Sequence, residues 1–154
     1  MFEKILSFCQ LNSTRFLRYS LGSIYLWYGV LKLLGISPAE ELVFRATHWI
    51  GVHDFVTFLG FWEVAIGICF LVRKWAPVGL LLFFLHFPGT FLPLFTNPED
   101  CFTSIPFGLT LEGQYIFKNL ISFAAALTIL GSLSKKPQDQ IAPKKAKPKS
   151  GSDS

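Results

Sequence analysis

Residues 55–72 read FVTFLGFWEVAIGICFLV, an apolar run whose single ionisable side chain, Glu63, sits near its middle. A charge at that depth in a bilayer costs roughly 2.5–3.5 kcal/mol even on the lenient insertion scale. Glu63 therefore needs a partner or a purpose. Three more apolar windows pose the same problem. Phe16–Ile36 carries Lys32 deep inside it, Trp75–Phe95 carries His86, and Gln114–Leu133 carries Lys118.

The composition explains why lipid is the solvent to consider. The chain has 154 residues, 51% of them hydrophobic and 17 of them Phe, with a mean hydropathy of +0.46. A soluble core of this size has too high a surface-to-volume ratio to hide so much apolar area. A membrane span needs about 20 mostly apolar residues, and the four windows meet that length. The first is too long for a signal peptide, and no small-residue cleavage site follows it. The expected fold is all-α: an integral membrane four-helix bundle over residues 1–134, followed by a disordered basic tail over 135–154.

The basic residues orient the bundle. Lys4, Arg15 and Arg18 precede or open the first span, Arg73 and Lys74 form the turn between the second and third, and six lysines follow the fourth. The loop before the fourth span holds Glu99, Asp100 and Glu112 with no Lys or Arg. The positive-inside bias then places both termini in the cytoplasm, as in a multi-pass protein of a bacterial inner membrane. The lysine tail reads as a solvated end near anionic lipid, not as a nucleic-acid arm.

Between the first two spans, Ser37-Pro38-Ala39-Glu40 has the form of a capping box. Leu42, Val43, Ala46, Trp49 and Ile50 then recur at helical spacing, which predicts a short amphipathic surface helix ending near Gly51, either a lid over the bundle or a connector. Residues before Thr14 read as a separate lead-in lying on the inner surface. In the third span, Pro88 and Gly89 follow His86, so a kink or break near Phe84–Pro88 is expected. Thr96 to Thr110 reads as the longest loop.

Steps of three and four put the polar residues on stripes with small ones. Arg18, Gly22, Tyr25, Gly29 and Lys32 form the first, and Gly60, Glu63, Gly67 and Phe70 the second. Gly79, Leu82, His86 and Gly89 form the third, and Tyr115, Lys118, Ser122 and Ala125 the fourth. Small residues let helices approach closely in lipid, and polar ones must face inward. At 1.5 Å per residue, Glu63 lies about 15 Å from Arg73, Lys32 about 21 Å from Arg18, and Lys118 roughly 25 Å from Lys135. The expected result is an intramembrane polar pocket of Lys32, Glu63, His86 and Lys118, lined by Tyr25, with Glu112, Tyr115 and Asn119 at its mouth. Two readings compete: Glu63 pairs with Lys32 or Lys118 only to satisfy charge between helices, or the excess of cations serves proton exchange or binding.

Other chemistries find little here. Cys9, Cys69 and Cys101 are far apart without a C-x-x-C, and only Cys101 is expected outside. A thiol–disulfide enzyme needs a resolving partner. His48 and His53 are five apart, where a ligand pair on one helical turn wants three or four. No metal quartet, P-loop or G-x-S-x-G motif is present.

Arg18-Tyr19-Ser20-Leu21-Gly22 running into Trp27-Tyr28-Gly29-Val30-Leu31-Lys32, Gly60-Phe61-Trp62-Glu63 with Gly67, and Leu111-Glu112-Gly113-Gln114-Tyr115-Ile116-Phe117-Lys118-Asn119-Leu120 together resemble the DoxX family of small four-span bacterial membrane proteins. The resemblance covers nearly all of residues 15–133, and the Glu-Gly-Gln-Tyr…Lys-Asn block is its most specific part. It implies a four-helix membrane fold and a role beside redox chemistry, since relatives include a subunit of a thiosulfate:quinone oxidoreductase and proteins of disulfide or oxidative-stress systems. The absence of a cysteine pair departs from the disulfide-handling relatives. The expected function is a quinone-linked redox accessory subunit. Lys32, Lys118 and His86 would bind a quinone oxygen, Glu63 would exchange protons, and Tyr25, Trp27, Trp62 and Tyr115 would pack on the ring. The alternatives are a small-anion transporter component, working as a homo-oligomer, or a non-catalytic membrane anchor for a soluble or membrane partner.

Overall fold

The computed structural model describes residues 2–47 and 54–134, and these are mostly helical. In chain order they form α1 (Phe2–Leu33), α2 (Glu40–Thr47), α3 (Phe55–Leu71), a 3-10 turn (Arg73–Trp75), α4 (Ala76–His86) and a second 3-10 segment (Phe87–Phe91). There follow α5 (Pro93–Thr96), α6 (Pro98–Cys101), β1 (Phe102–Ser104), β2 (Gly108–Leu109) and α7 (Leu111–Ser134). Two stretches, Arg73–Thr96 and Leu111–Leu133, are long and apolar enough to cross a membrane, and α3 is a shorter apolar helix of 17 residues.

The closest helix pair is α1 against α3, running antiparallel, and glycine makes it possible. A Cβ added at Gly29 would stand 2.7 Å from the Gly60 carbonyl oxygen, and one at Gly67 would stand 2.5 Å from the Leu26 nitrogen and 2.8 Å from the Gly22 oxygen. Gly22 and Gly29 on one helix thus meet Gly67 and Gly60 on the other at backbone contact, as small residues do at lipid-embedded interfaces. The buried face of α1 is Arg18, Leu21, Gly22, Tyr25, Gly29 and Lys32; that of α3 is Gly60, Glu63, Ile66, Gly67 and Phe70. Both stripes read from sequence are therefore the packed faces.

On α4 the buried positions are Ala76, Gly79, Leu80 and Phe83. The expected irregularity is present. Pro88 has no N–H to continue an α-helical ladder, and the chain tightens at Phe87 into a 3-10 segment. The backbone stays right-handed there, with φ −55° and ψ −45° at Phe87, so the run continues to Thr96. Helix α7 closes the core from the far side: Phe123 stacks on Phe87 at 4.8 Å between centroids, and Ala125, Ala126 and Ile129 join Leu21, Tyr25, Ile66, Phe70, Leu80 and Phe83.

Three local expectations are revised. Residues before Thr14 are not a separate lead-in but the first turns of α1. The Ser37 capping box gives way to a turn in which the Glu40 N–H donates to the Ser37 carbonyl (3.1 Å), and α2 starts only at Glu40. The long loop holds α6 and a two-stranded antiparallel hairpin that pairs Phe102 with Leu109 and Ser104 with Gly108. His48, Trp49, Ile50, Gly51, His53 and the tail 135–154 lie outside the described residues.

Candidate functional site

Helices α1, α3 and α4 each send one polar side chain to a common point. Lys32, in the last turn of α1, donates from Nζ to Glu63 Oε2 at 2.6 Å. His86, in the last turn of α4, places Nε2 3.5 Å from Glu63 Oε1. All three side chains are nearly sealed, at 7% exposure for Lys32 and 9% each for Glu63 and His86. Each carboxylate oxygen thus faces its own nitrogen, Oε2 that of Lys32 and Oε1 that of His86, and such pairing is what makes a buried carboxylate tolerable. The two donors also sit at helix C-termini, where the backbone dipoles favour positive charge.

The neighbours explain how the long side chains fit. Gly60 leaves space one turn before Glu63: a Cβ there would lie 3.1 Å from Lys32 Cβ. Tyr25 is buried beside the cluster with its ring edge-on to His86 (6.0 Å) and to Phe83 (5.6 Å). Trp62 donates its indole N–H to the Leu82 carbonyl at 3.2 Å, which ties α3 to α4 one turn from His86.

The fourth helix does not contribute as the stripes implied. Lys118, Glu112 and Tyr115 are exposed and Asn119 is half-buried. Lys118 Nζ lies 5.0 Å from the Tyr115 ring centroid on its own helix. The physical reason is helical phase. The upper part of α7 buries Gly113 and Ile116, and two residues on from Ile116 is about 200° round the cylinder. The convergence is therefore Lys32, Glu63 and His86 with Tyr25 beside them, without Lys118. Trp27 is also exposed, so of the four aromatic candidates Tyr25 and Trp62 are the inward ones.

One residue that the sequence placed on a stripe but gave no role is Arg18. It is buried and donates from Nη1 to the carbonyls of Phe70 and Leu71, the latter at 2.9 Å. Its acceptors are backbone atoms, which no residue pattern announces; its place on the Gly22–Lys32 stripe was the available signal. Cys101, expected on the outer side of the membrane, is fully buried. The Thr110 N–H donates to its carbonyl (3.1 Å) and Gly113 of α7 abuts that same carbonyl. Burial first, and then Asp100, Glu112 and Glu99, raise the thiol above its ordinary range, so it is a weak nucleophile. Among the described residues no group of His, Cys, Asp and Glu is placed to hold a metal ion.

No family model, curated protein or solved structure matches this chain.

Proposed function

We propose that this chain is an integral membrane protein of the DoxX kind, in which α1, α3, the Arg73–Thr96 run and α7 cross a bacterial inner membrane with both termini in the cytoplasm. Its function in this reading is that of a quinone-linked redox accessory subunit. The observation that carries it is the Glu63 carboxylate held between Lys32 and His86 inside an apolar core. Lys32 and Glu63 pair through Oε2, and His86 faces the other carboxylate oxygen, Oε1, through Nε2. Imidazole presents two nitrogens, each able to donate or accept a hydrogen bond, so His86 can meet Glu63 and a ligand at once.

The donor chemistry suits a quinone carbonyl. His86 engages Glu63 through Nε2, and among the described residues its second ring nitrogen and the Tyr25 hydroxyl are polar groups beside it. Phe83 and Phe87, stacked at 5.6 Å, supply flat apolar surface nearby. A bound quinone would supply two-electron, two-proton chemistry; the protein's own residues bind, orient and move the proton. The test is mass spectrometry of the lipid-soluble material that co-purifies in mild detergent, combined with thermal unfolding in the presence of a short-chain ubiquinone. Bound quinone and a rise in unfolding temperature are expected. Absence of both overturns the redox reading.

A second reading is favoured by the mutual satisfaction of the cluster: a non-catalytic anchor, with Lys32–Glu63 setting helix register. It predicts a stoichiometric protein partner and retained assembly in His86→Asn. The small-anion transporter has less support, because Lys118 is turned away from the seam.

A further inference from the structure

The opposite end of the α1–α3 pair gathers four cations around a fixed point. Arg18 donates to the Phe70 and Leu71 carbonyls, two of the terminal acceptors that α3 leaves without an N–H of its own. This holds the α1 turn carrying Arg15 and Arg18 beside the Arg73–Trp75 connection. Arg15, Arg73 and Lys74 are exposed around it. Arg15 has a long hydrogen bond to Asn12 Oδ1 at 3.4 Å. Two aromatic side chains share this end: Tyr19, whose ring lies 4.4 Å from the Arg18 guanidinium, and Trp75.

Among the described residues no carboxylate accompanies these charges. Along the chain the flanking acids are Glu3, about 18 Å from Arg15 by helical rise, and Glu63, about 15 Å from Arg73. Exposed charges of one sign at one end raise the local positive potential, which attracts an anion from outside the chain. Guanidinium groups pair with phosphate bidentately, and a lysine adds a point charge. Tyr and Trp are the side chains that settle at headgroup level.

We propose that Arg15, Arg73 and Lys74, supported by Arg18, bind the phosphate headgroup of an anionic phospholipid in the cytoplasmic leaflet. The assignment rests on the membrane reading above. It is a lipid site built at the seam between α1 and the α3–α4 turn, separate from the Lys32–Glu63–His86 cluster. The lysine tail would attract the same leaflet diffusely, so the test must separate the two.

Full-length protein is reconstituted with mixed phosphatidylglycerol and phosphatidylcholine, transferred to neutral detergent, and its retained lipid is counted by native mass spectrometry. Selective retention of phosphatidylglycerol is expected. The R15Q/R73Q/K74Q variant should weaken it roughly a hundredfold, at about fivefold per basic residue. The K144Q/K145Q/K147Q/K149Q variant should retain it. Equal retention in the first variant, loss in the second alone, or full displacement of the retained phosphatidylglycerol by free inorganic phosphate overturns the proposal. Carbonate extraction of the same membranes distinguishes the two failures: release into the soluble fraction sinks the membrane reading, whereas firm insertion with unchanged lipid retention sinks only the headgroup site.

Discussion

Lys32 Nζ and Glu63 Oε2 stand 2.6 Å apart across the α1–α3 interface, the Lys32 stem passing over Gly60 where that residue meets Gly29. The close backbone approach and the ion pair belong together. The glycines bring the helices near enough for the lysine stem to reach the carboxylate, and the pair gives the glycine contact one register.

Glu63→Gln leaves the Lys32 ammonium buried without its counter-charge, which should cost about 3–5 kcal/mol. Removing both charges in Lys32→Met/Glu63→Gln should recover most of that loss, because no uncompensated ion remains. Unfolding in mixed SDS micelles measures both. A double variant as unstable as Glu63→Gln alone would show that the ion pair is not what the helices depend on.

Lys118→Ala is expected to change stability by less than about 0.5 kcal/mol, as for exposed substitutions away from special features. It should also leave quinone-dependent stabilisation intact, whereas His86→Asn should abolish it. If Lys118→Ala instead removes ligand-dependent stabilisation, Lys118 belongs to the site and α7 must rotate to bring it there.

The contrast between Lys118 and Lys32 marks how far the sequence could be read. Steps of three and four identified the packed faces of α1 and α3 except for Leu21 and Ile66, because glycine and charge recur there on a regular helical grid. Three site members followed from the same rule. The rule failed on α7, where the buried face drifts from Gly113 and Ile116 to Ala125, Ala126 and Ile129. Its aromatic and small residues fit several phases, so composition could not choose among them. Arg18 and Cys101 were illegible for another reason: their partners are backbone carbonyls, a β-hairpin and the first turn of α7, which only the folded chain brings together.

Glycine substitutions should separate contact from propensity. In Gly67→Ala the new Cβ meets the Leu26 backbone at 2.5 Å, and backbone cannot swing aside. The helices must part, at a cost of about 1–3 kcal/mol as in other overpacked interiors. Gly131→Ala meets nothing within 4 Å and should stabilise α7 by up to about 1 kcal/mol through helix propensity. Equal effects in the same unfolding assay would mean that the glycine seam is not close-packed.

Cys101 should resist alkylation in the folded protein while Cys9, exposed on α1, reacts. The thiolate is the nucleophile, and burial together with Asp100, Glu112 and Glu99 keeps Cys101 protonated above the ordinary thiol value of 9.0. The sign follows from linkage: the folded state holds this proton more tightly than the unfolded one. Its contribution is present below pH 9.0 and is lost as pH rises from there through the raised folded value. Maleimide labelling at about pH 8, near the free thiol range, followed by peptide mass spectrometry, should therefore modify Cys9 before Cys101, and Cys101 only after unfolding. Labelling of Cys101 as fast as Cys9 in folded protein would mean that the first turn of α7 does not cover it, and would restore an accessible outer-face thiol.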